Sequence, residues 1–173
     1  LRVSGDTLVS EPSIMESVPF SIRSLYAAPD GSLWIGYAGD GLGWFKEGAY
    51  ARITTAEGLM DDYISQMLDD GHGALWIAAN RGIFQVELAE LLAVAEGRTK
   101  WVRSRVYGLS EGLPSLQPNR DYFPSAARSV DGNLWFSTRD GLVLAQPEKM
   151  RDNREPPMVL LERLTMDDQP AAL

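Results

Sequence analysis

Hydrophobic and polar positions alternate along this chain in short stretches of about five residues, the length of an ordinary strand, and turns containing glycine separate them. The first four stretches are Ile22 to Tyr26, Leu33 to Tyr37, Leu42 to Lys46 and Tyr50 to Ile53. Between them lie Pro29-Asp30-Gly31-Ser32 and Gly39-Asp40-Gly41, where glycine accepts the positive φ of a tight hairpin turn. The pattern predicts four antiparallel strands joined in sequence. It then recurs as Tyr63 to Leu68, Ala74 to Ala78, Ile83 to Glu87 and Trp101 to Tyr107, and again as Ala126 to Val130, Leu134 to Thr138 and Leu142 to Gln146. One stretch has a different period. Across Glu87 to Glu96 the apolar residues Leu88, Leu91, Leu92 and Ala95 fall at helical spacing, and Gly97 stands where a helix would stop.

The strand pattern carries a repeated motif. Gly-x-Leu-Trp followed by Ile or Phe occurs at Gly31 to Ile35, Gly73 to Ile77 and Gly132 to Phe136. An Asp precedes each copy, at Asp30, Asp70 and Asp131, and Glu-Gly-Leu closes two units at Glu57 to Leu59 and Glu111 to Leu113. Trp34 and Trp76 are 42 residues apart, Trp76 and Trp135 are 59 apart. Insertions account for the excess: Trp34 to Leu59 spans 25 residues against 37 for Trp76 to Leu113, and Leu59 to Trp76 spans 17 against 22 for Leu113 to Trp135. A period of 42 suits one four-stranded propeller blade. The expected fold is therefore all-β, about three four-stranded antiparallel blades of a β-propeller forming an incomplete ring, with one short inserted helix. The expected divisions are the end of a preceding blade at 1–17, a blade at 18–59, a blade with the helical insertion at 60–113, and a third blade at 114–150. Residues 151–173 form a linker and the first strand of a following β-sandwich.

Charge and composition narrow the function. Sixteen basic residues against 24 acidic ones give a net charge of -8, with no Lys/Arg run, which argues against nucleic-acid or anionic-membrane partners. No cysteine is present, so disulfides and thiol chemistry are excluded. No apolar run reaches the ~18 residues of a membrane span. The repeated residues have structural readings first. Trp34, Trp76 and Trp135, with Gly31, Gly73 and Gly132, are expected to fill and shape the space between blades rather than form a ligand platform. The Asp residues fit hairpin turns better than a cation site, so no metal or cofactor is expected. His72, the only histidine, falls in the turn Asp70-Gly71-His72-Gly73 with no evident partner for acid–base work. The insertion from Gln117 to Phe123 is the candidate contact surface, with Asn119, Arg120, Asp121 and Tyr122 as ligand-binding candidates; the alternative is that Asn119 and Asp121 brace the loop.

The runs Asp30 to Gly36 and Asp131 to Phe136, with the two Glu-Gly-Leu closures, resemble the two-component regulator propeller repeats of bacterial sensor proteins. Pro156-Pro157-Met158-Val159-Leu160-Leu161-Glu162 is similar to the segment that opens the immunoglobulin-like domain following such propellers. The resemblance implies a non-catalytic, periplasmic ligand-sensing region, with a dimeric hybrid histidine kinase of the inner membrane as parent. It implies an oligosaccharide or another small extracellular molecule as ligand. Propellers close with about 4 to 8 blades, so three blades alone would leave open edges that favour self-association. Asp-Gly-Asn-Leu-Trp-Phe is also similar to the repeat of streptogramin lyases, but those enzymes use several converging His and Glu residues with magnesium. A purely structural interaction scaffold is the third alternative.

Overall fold

The computed structural model describes residues 21–119 and 124–150, together with the backbone of four short flanking strands. Two of these, β1 (Arg2–Ser4) and β2 (Thr7–Val9), form an antiparallel pair. The expected end of a preceding blade at 1–17 and the linker and sandwich start at 151–173 otherwise lie outside the described residues.

Each motif copy builds one meander. The first sheet runs β3 (Ile22–Ala27), β4 (Leu33–Tyr37), β5 (Leu42–Lys46), β6 (Ala49–Ile53), every neighbour antiparallel. The second runs β7 (Ile64–Asp69), β8 (Ala74–Ala79), β9 (Gly82–Glu87), β10 (Arg105–Tyr107). Helix α1 (Leu88–Ala95) is inserted between β9 and β10, buries Leu91 and Ala93, and packs on β6 of the first sheet as well as on β9. The expected strand from Trp101 shortens to its last three residues: Val102 is buried with its N–H bonded to Glu57 O, while Trp101 is 60% exposed. The third sheet has three strands among the described residues, β11 (Ala126–Arg128), β12 (Leu134–Thr138) and β13 (Gly141–Ala145). A last pair, β14 (Leu164–Met166) and β15 (Gln169–Ala171), is antiparallel.

Register shows which residues are equivalent. Trp34 lies opposite Trp44, Trp76 opposite Gln85 and Trp135 opposite Leu144. Trp34, Leu42 and Trp44 of the first sheet join Met67, Leu75, Ile77 and Phe84 of the second in one core. Trp76, Ile83 and Tyr107 of the second join Ala126, Leu134 and Phe136 of the third in another. The Trp76 and Tyr107 rings stack, with centroids 4.9 Å apart. The same face of the third sheet is uncovered among the described residues: Trp135 is half-buried, and Leu142 and Leu144 are 64% and 43% exposed. Close sheet contact needs a glycine at position 36, where a Cβ would lie 2.5 Å from Ser24 Oγ and 2.7 Å from Ile64 Cγ2. Glu-Gly-Leu is a capped 3₁₀ turn: Glu57 accepts from the N–H and hydroxyl of Thr54, and Gly58 takes a left-handed φ of 101°. A Cβ at Gly58 would also strike Val102 O, the chain returning from the α1 insertion.

The three Asp residues are not equivalent. The turn bonds Ala28 N–H to Ser32 O, Asp70 N–H to Ala74 O and Ser129 N–H to Asn133 O align Asp70 with Ala28 and Ser129, six residues before each Trp. His72 occupies the position of Asp30 and Asp131. The aligned slot holds the partner of the indole: Trp76 Nε1 donates to Asp70 at 3.1 Å and Trp135 Nε1 to Ser129 Oγ at 3.2 Å. In the first sheet the slot is Ala28, and the buried Trp34 Nε1 has no partner among the described residues. Ala28→Ser is therefore expected to stabilise the protein by about 1 kcal/mol, the net value of one buried hydrogen bond, measured by urea denaturation.

Asp30 performs a different task, accepting from Ser32 Oγ at 2.6 Å, Ser32 N–H at 3.0 Å and Lys46 Nζ at 3.0 Å. The Ser32 hydroxyl first, then the Ser32 N–H and Lys46, hold its carboxyl down from 3.8 to about 2 against an opposing effect of burial. Because the folded value lies below the ordinary one, the turn's contribution is complete above pH 3.8 and disappears as pH falls through about 2. Asp30→Asn should be less stable than the native chain at pH 5, and urea midpoints of the two proteins should converge by pH 2.

Candidate functional site

Strands β3, β7 and β11 open their sheets and pack side by side, β3 on β7 and β7 on β11. Both β3 and β7 carry an irregularity at the same place, a register shift between Ile22 and Ser24 and between Ile64 and Gln66. Such bulges re-aim the extra side chain, here Arg23 and Ser65. Beyond the bulge, Ser24 lies opposite Gly36 and Gln66 opposite Ala78. Ser125, just before β11, has the corresponding position, its carbonyl accepting from the N–H and hydroxyl of Ser137. Ser24, Ser65 and Ser125 are 6%, 3% and 5% exposed. Their hydroxyls and Arg23 Nε are buried without a hydrogen-bond partner among the described residues.

An unmade buried hydrogen bond costs on the order of 1–3 kcal/mol, so four at the same end of three adjacent strands form an unusual concentration. A groove of about 450 Å³ opens there, lined by Ile22, Arg23, Ser24, Leu25, Gln66 and Pro124. Arg23 is the charged residue of that lining, and its guanidinium lies 5.8 Å from the centroid of the Tyr63 ring.

A second concavity of about 650 Å³ separates the second sheet from the segment after β13. Its charged groups largely engage one another. Asp70 is buried and accepts from the N–H groups of His72 and Ala74 as well as from Trp76. Glu90 accepts from Arg103 N–H at 2.8 Å and lies 3.6 Å from its Nε. His72 Nε2 is 3.8 Å from Glu148 Oε1, both side chains more than half exposed. Among the described residues no three His, Asp or Glu side chains converge as metal ligands would.

Of the residues proposed from sequence, Asn119 is half-buried and its N–H donates to Ser137 O at 3.0 Å. Its neighbour Pro118 bridges to Thr138. Arg120, Asp121 and Tyr122 lie outside the described residues. Asn119 and Ser125, on either side of that segment, are thus both fixed to Ser137 of β12. Gly31, Gly73 and Gly132 have positive φ of 83°, 104° and 81° in the turns that present the Trp strands. Sequence reasoning missed Arg23, Ser24 and Ser65. One signal was available: a polar residue, Ser24, Gln66 or Ser125, stands ten positions before each Trp, where a strand facing a core would place an apolar one.

No protein-family model matches the chain, and no curated protein matches it. Among solved structures it is similar to one described as the extracellular domain of the one-component system BT4673 of B. thetaiotaomicron, with 18% identity and a TM-score of 0.59 over 73% of this chain. It is similar as well to the extracellular domain described for the hybrid two-component system BT3049 of that organism, with 18% identity and a TM-score of 0.55 over 75% of this chain. The chain spans 17% and 16% of those two structures. A streptogramin B lyase structure gives 14% identity and a TM-score of 0.49 over 74% of this chain and 41% of the lyase. The first two likenesses show the fold alone, one shared with those extracellular domains. No helix among the described residues is long and apolar enough to cross a membrane.

The indole–carboxylate bond that joins Trp76 of β8 to Asp70 in the β7–β8 turn is testable. Asp70→Ala removes the acceptor of three donors at once and should cost about 2–4 kcal/mol, measured by urea denaturation.

Proposed function

We propose that this chain is part of an extracytoplasmic, ligand-sensing propeller of a bacterial signal-transduction protein, binding a ligand rather than transforming one. The observation that carries the reading is the coincidence of its Asp-Gly-x-Leu-Trp repeats with a fold shared by the extracellular domains of one- and two-component systems. The parent is a periplasmic-facing sensor of the inner membrane, with a histidine kinase as output. An oligosaccharide or another small extracellular molecule is the ligand, contacted by loops on the rigid blades.

Site chemistry supports binding over catalysis. His72, the only histidine, is more than half exposed in a turn and faces Glu148 across 3.8 Å. A general base needs a positioned partner and a pocket that holds the substrate against it. The larger concavity presents charges already matched with one another, an arrangement suited to joining sheets. Isothermal titration calorimetry of the intact ectodomain against a panel of oligosaccharides is expected to give saturable heat for at least one, with no product formed on prolonged incubation. Absence of binding across the panel, or turnover of a bound sugar, would reverse this reading.

A further inference from the structure

We propose that Trp101 is a stacking platform for one pyranose ring of a neutral, β-linked glycan. This rests on the ligand-sensing reading and gives the ligand a contact residue and a chemical class. Trp101 lies outside the repeat, in the chain that returns from the α1 insertion to the capped turn of the first unit. A Cβ at Gly58 would lie 2.7 Å from Trp101 Cε2 and 3.0 Å from its Cδ2. Those two atoms form the bond shared by both rings of the indole, so contact with the pair is contact with the ring face. One face thus rests on Gly58, and with the residue 60% exposed the other is open to solvent. Gly112, the matching glycine of the second unit, would have nothing within 4 Å of its Cβ, so the covering of Gly58 is not a feature of the repeat.

The chain around the ring is fixed without it. Val102 N–H donates to Glu57 O at 2.8 Å, and the Ser104 hydroxyl donates to Gly58 O at 2.8 Å. Trp34, Trp44 and Trp76 are buried and Trp135 is half-buried, so of the five tryptophans Trp101 alone is more than half exposed. A flat aromatic face displayed on a rigid frame suits recognition better than packing.

The surroundings decide the ligand. An aromatic face complements a cation, an apolar protein surface or the C–H face of a sugar. A cation is disfavoured by the basic residues of the same segment, Arg98, Lys100, Arg103 and Arg105. An anion is not called for, because Arg98 pairs with Glu96 at 2.6 Å and Arg103 lies 3.6 Å from Glu90. A protein partner needs about 800 Å² on each side, several times the area of one indole, and the neighbouring Thr99, Lys100, Arg103 and Ser104 are polar. A pyranose with equatorial hydroxyls, as in β-linked glucose, meets both conditions: its flat C–H face covers the ring, and its hydroxyls reach polar side chains around the edge.

Cellohexaose is therefore the probe, and D-glucitol, which carries similar hydroxyls on an open chain, is its control. In calorimetric titration of the intact ectodomain, cellohexaose should bind and glucitol should not. Binding should shift tryptophan emission to shorter wavelength, because it covers the most exposed indole. Trp101→Ala should weaken cellohexaose tenfold or more, abolish the emission shift and leave the melting temperature of the ligand-free protein unchanged. Trp101→Phe, which keeps an aromatic face, should retain most of the binding without the emission shift, and it decides the matter if Trp101→Ala does not fold. Cellohexaose binding undiminished in Trp101→Ala, an emission shift that persists in Trp101→Phe, or glucitol binding as tight as cellohexaose overturns the proposal. Another oligosaccharide that binds the native protein and both variants equally, with no cellohexaose binding, overturns the platform alone and leaves the sensing reading standing. No binding of any oligosaccharide overturns both.

Discussion

A tryptophan ring held between successive sheets is the contact on which the remaining architecture depends. Trp34 and Trp76 are 0% and 2% exposed, and each joins the core formed with the next sheet. Burying a ring of this size removes about 150–250 Å² from water, on the order of 4–6 kcal/mol of transfer free energy apiece. That gain requires two sheets at close distance over the whole width of the ring. Gly36 permits the approach at the inner edge, where any Cβ would meet Ser24 and Ile64. Helix α1 extends the contact at the outer edge by packing on β6 of the preceding sheet. The 3₁₀ turn at Thr55–Glu57 fixes the crossing chain between them, its Glu57 carbonyl receiving the Val102 N–H.

Much of this was readable because turns and strands in a propeller are local. Leu33–Tyr37, Leu42–Lys46 and Leu134–Thr138 coincide with the strands expected from alternation and glycine turns. Helix α1 appears within one residue of its expected ends. What escaped the sequence depends on register, which composition does not record. Asp70 looked like a counterpart of Asp30 and Asp131, yet its backbone bond to Ala74 puts it at the position of Ala28 and Ser129. The strand before Tyr107 was overextended because Trp101 and Val102 have strand propensity, but the returning chain is pinned to Glu57 instead of to β9. The groove was illegible for a related reason. Arg23 and Ser65 become conspicuous only when a bulge turns them aside from the alternation of their strands.

The same sheets show how a rigid frame can carry groups that do not contribute to its stability. Deep cores on both sides of the second sheet hold the inner strands in place, so Ser24, Ser65 and Ser125 can remain buried with no hydroxyl partner among the described residues. A marginal fold would relax around such groups or admit solvent to them. Here the cost is spread over a repeated structure in which each sheet is held by its neighbours.

Such nearest-neighbour support is also unequal among the described sheets. The second sheet is covered on both faces, by Trp34 and Trp44 on one and by Phe136 and Leu134 on the other. The third is covered on one, and its Trp135, Leu142 and Leu144 face outward among the described residues. Separating the third sheet gives up one tryptophan core, whereas displacing the second gives up two. Among the described residues, amide protons of β8 are therefore expected to exchange with solvent more slowly than those of β12, because opening β8 disrupts two cores and opening β12 one.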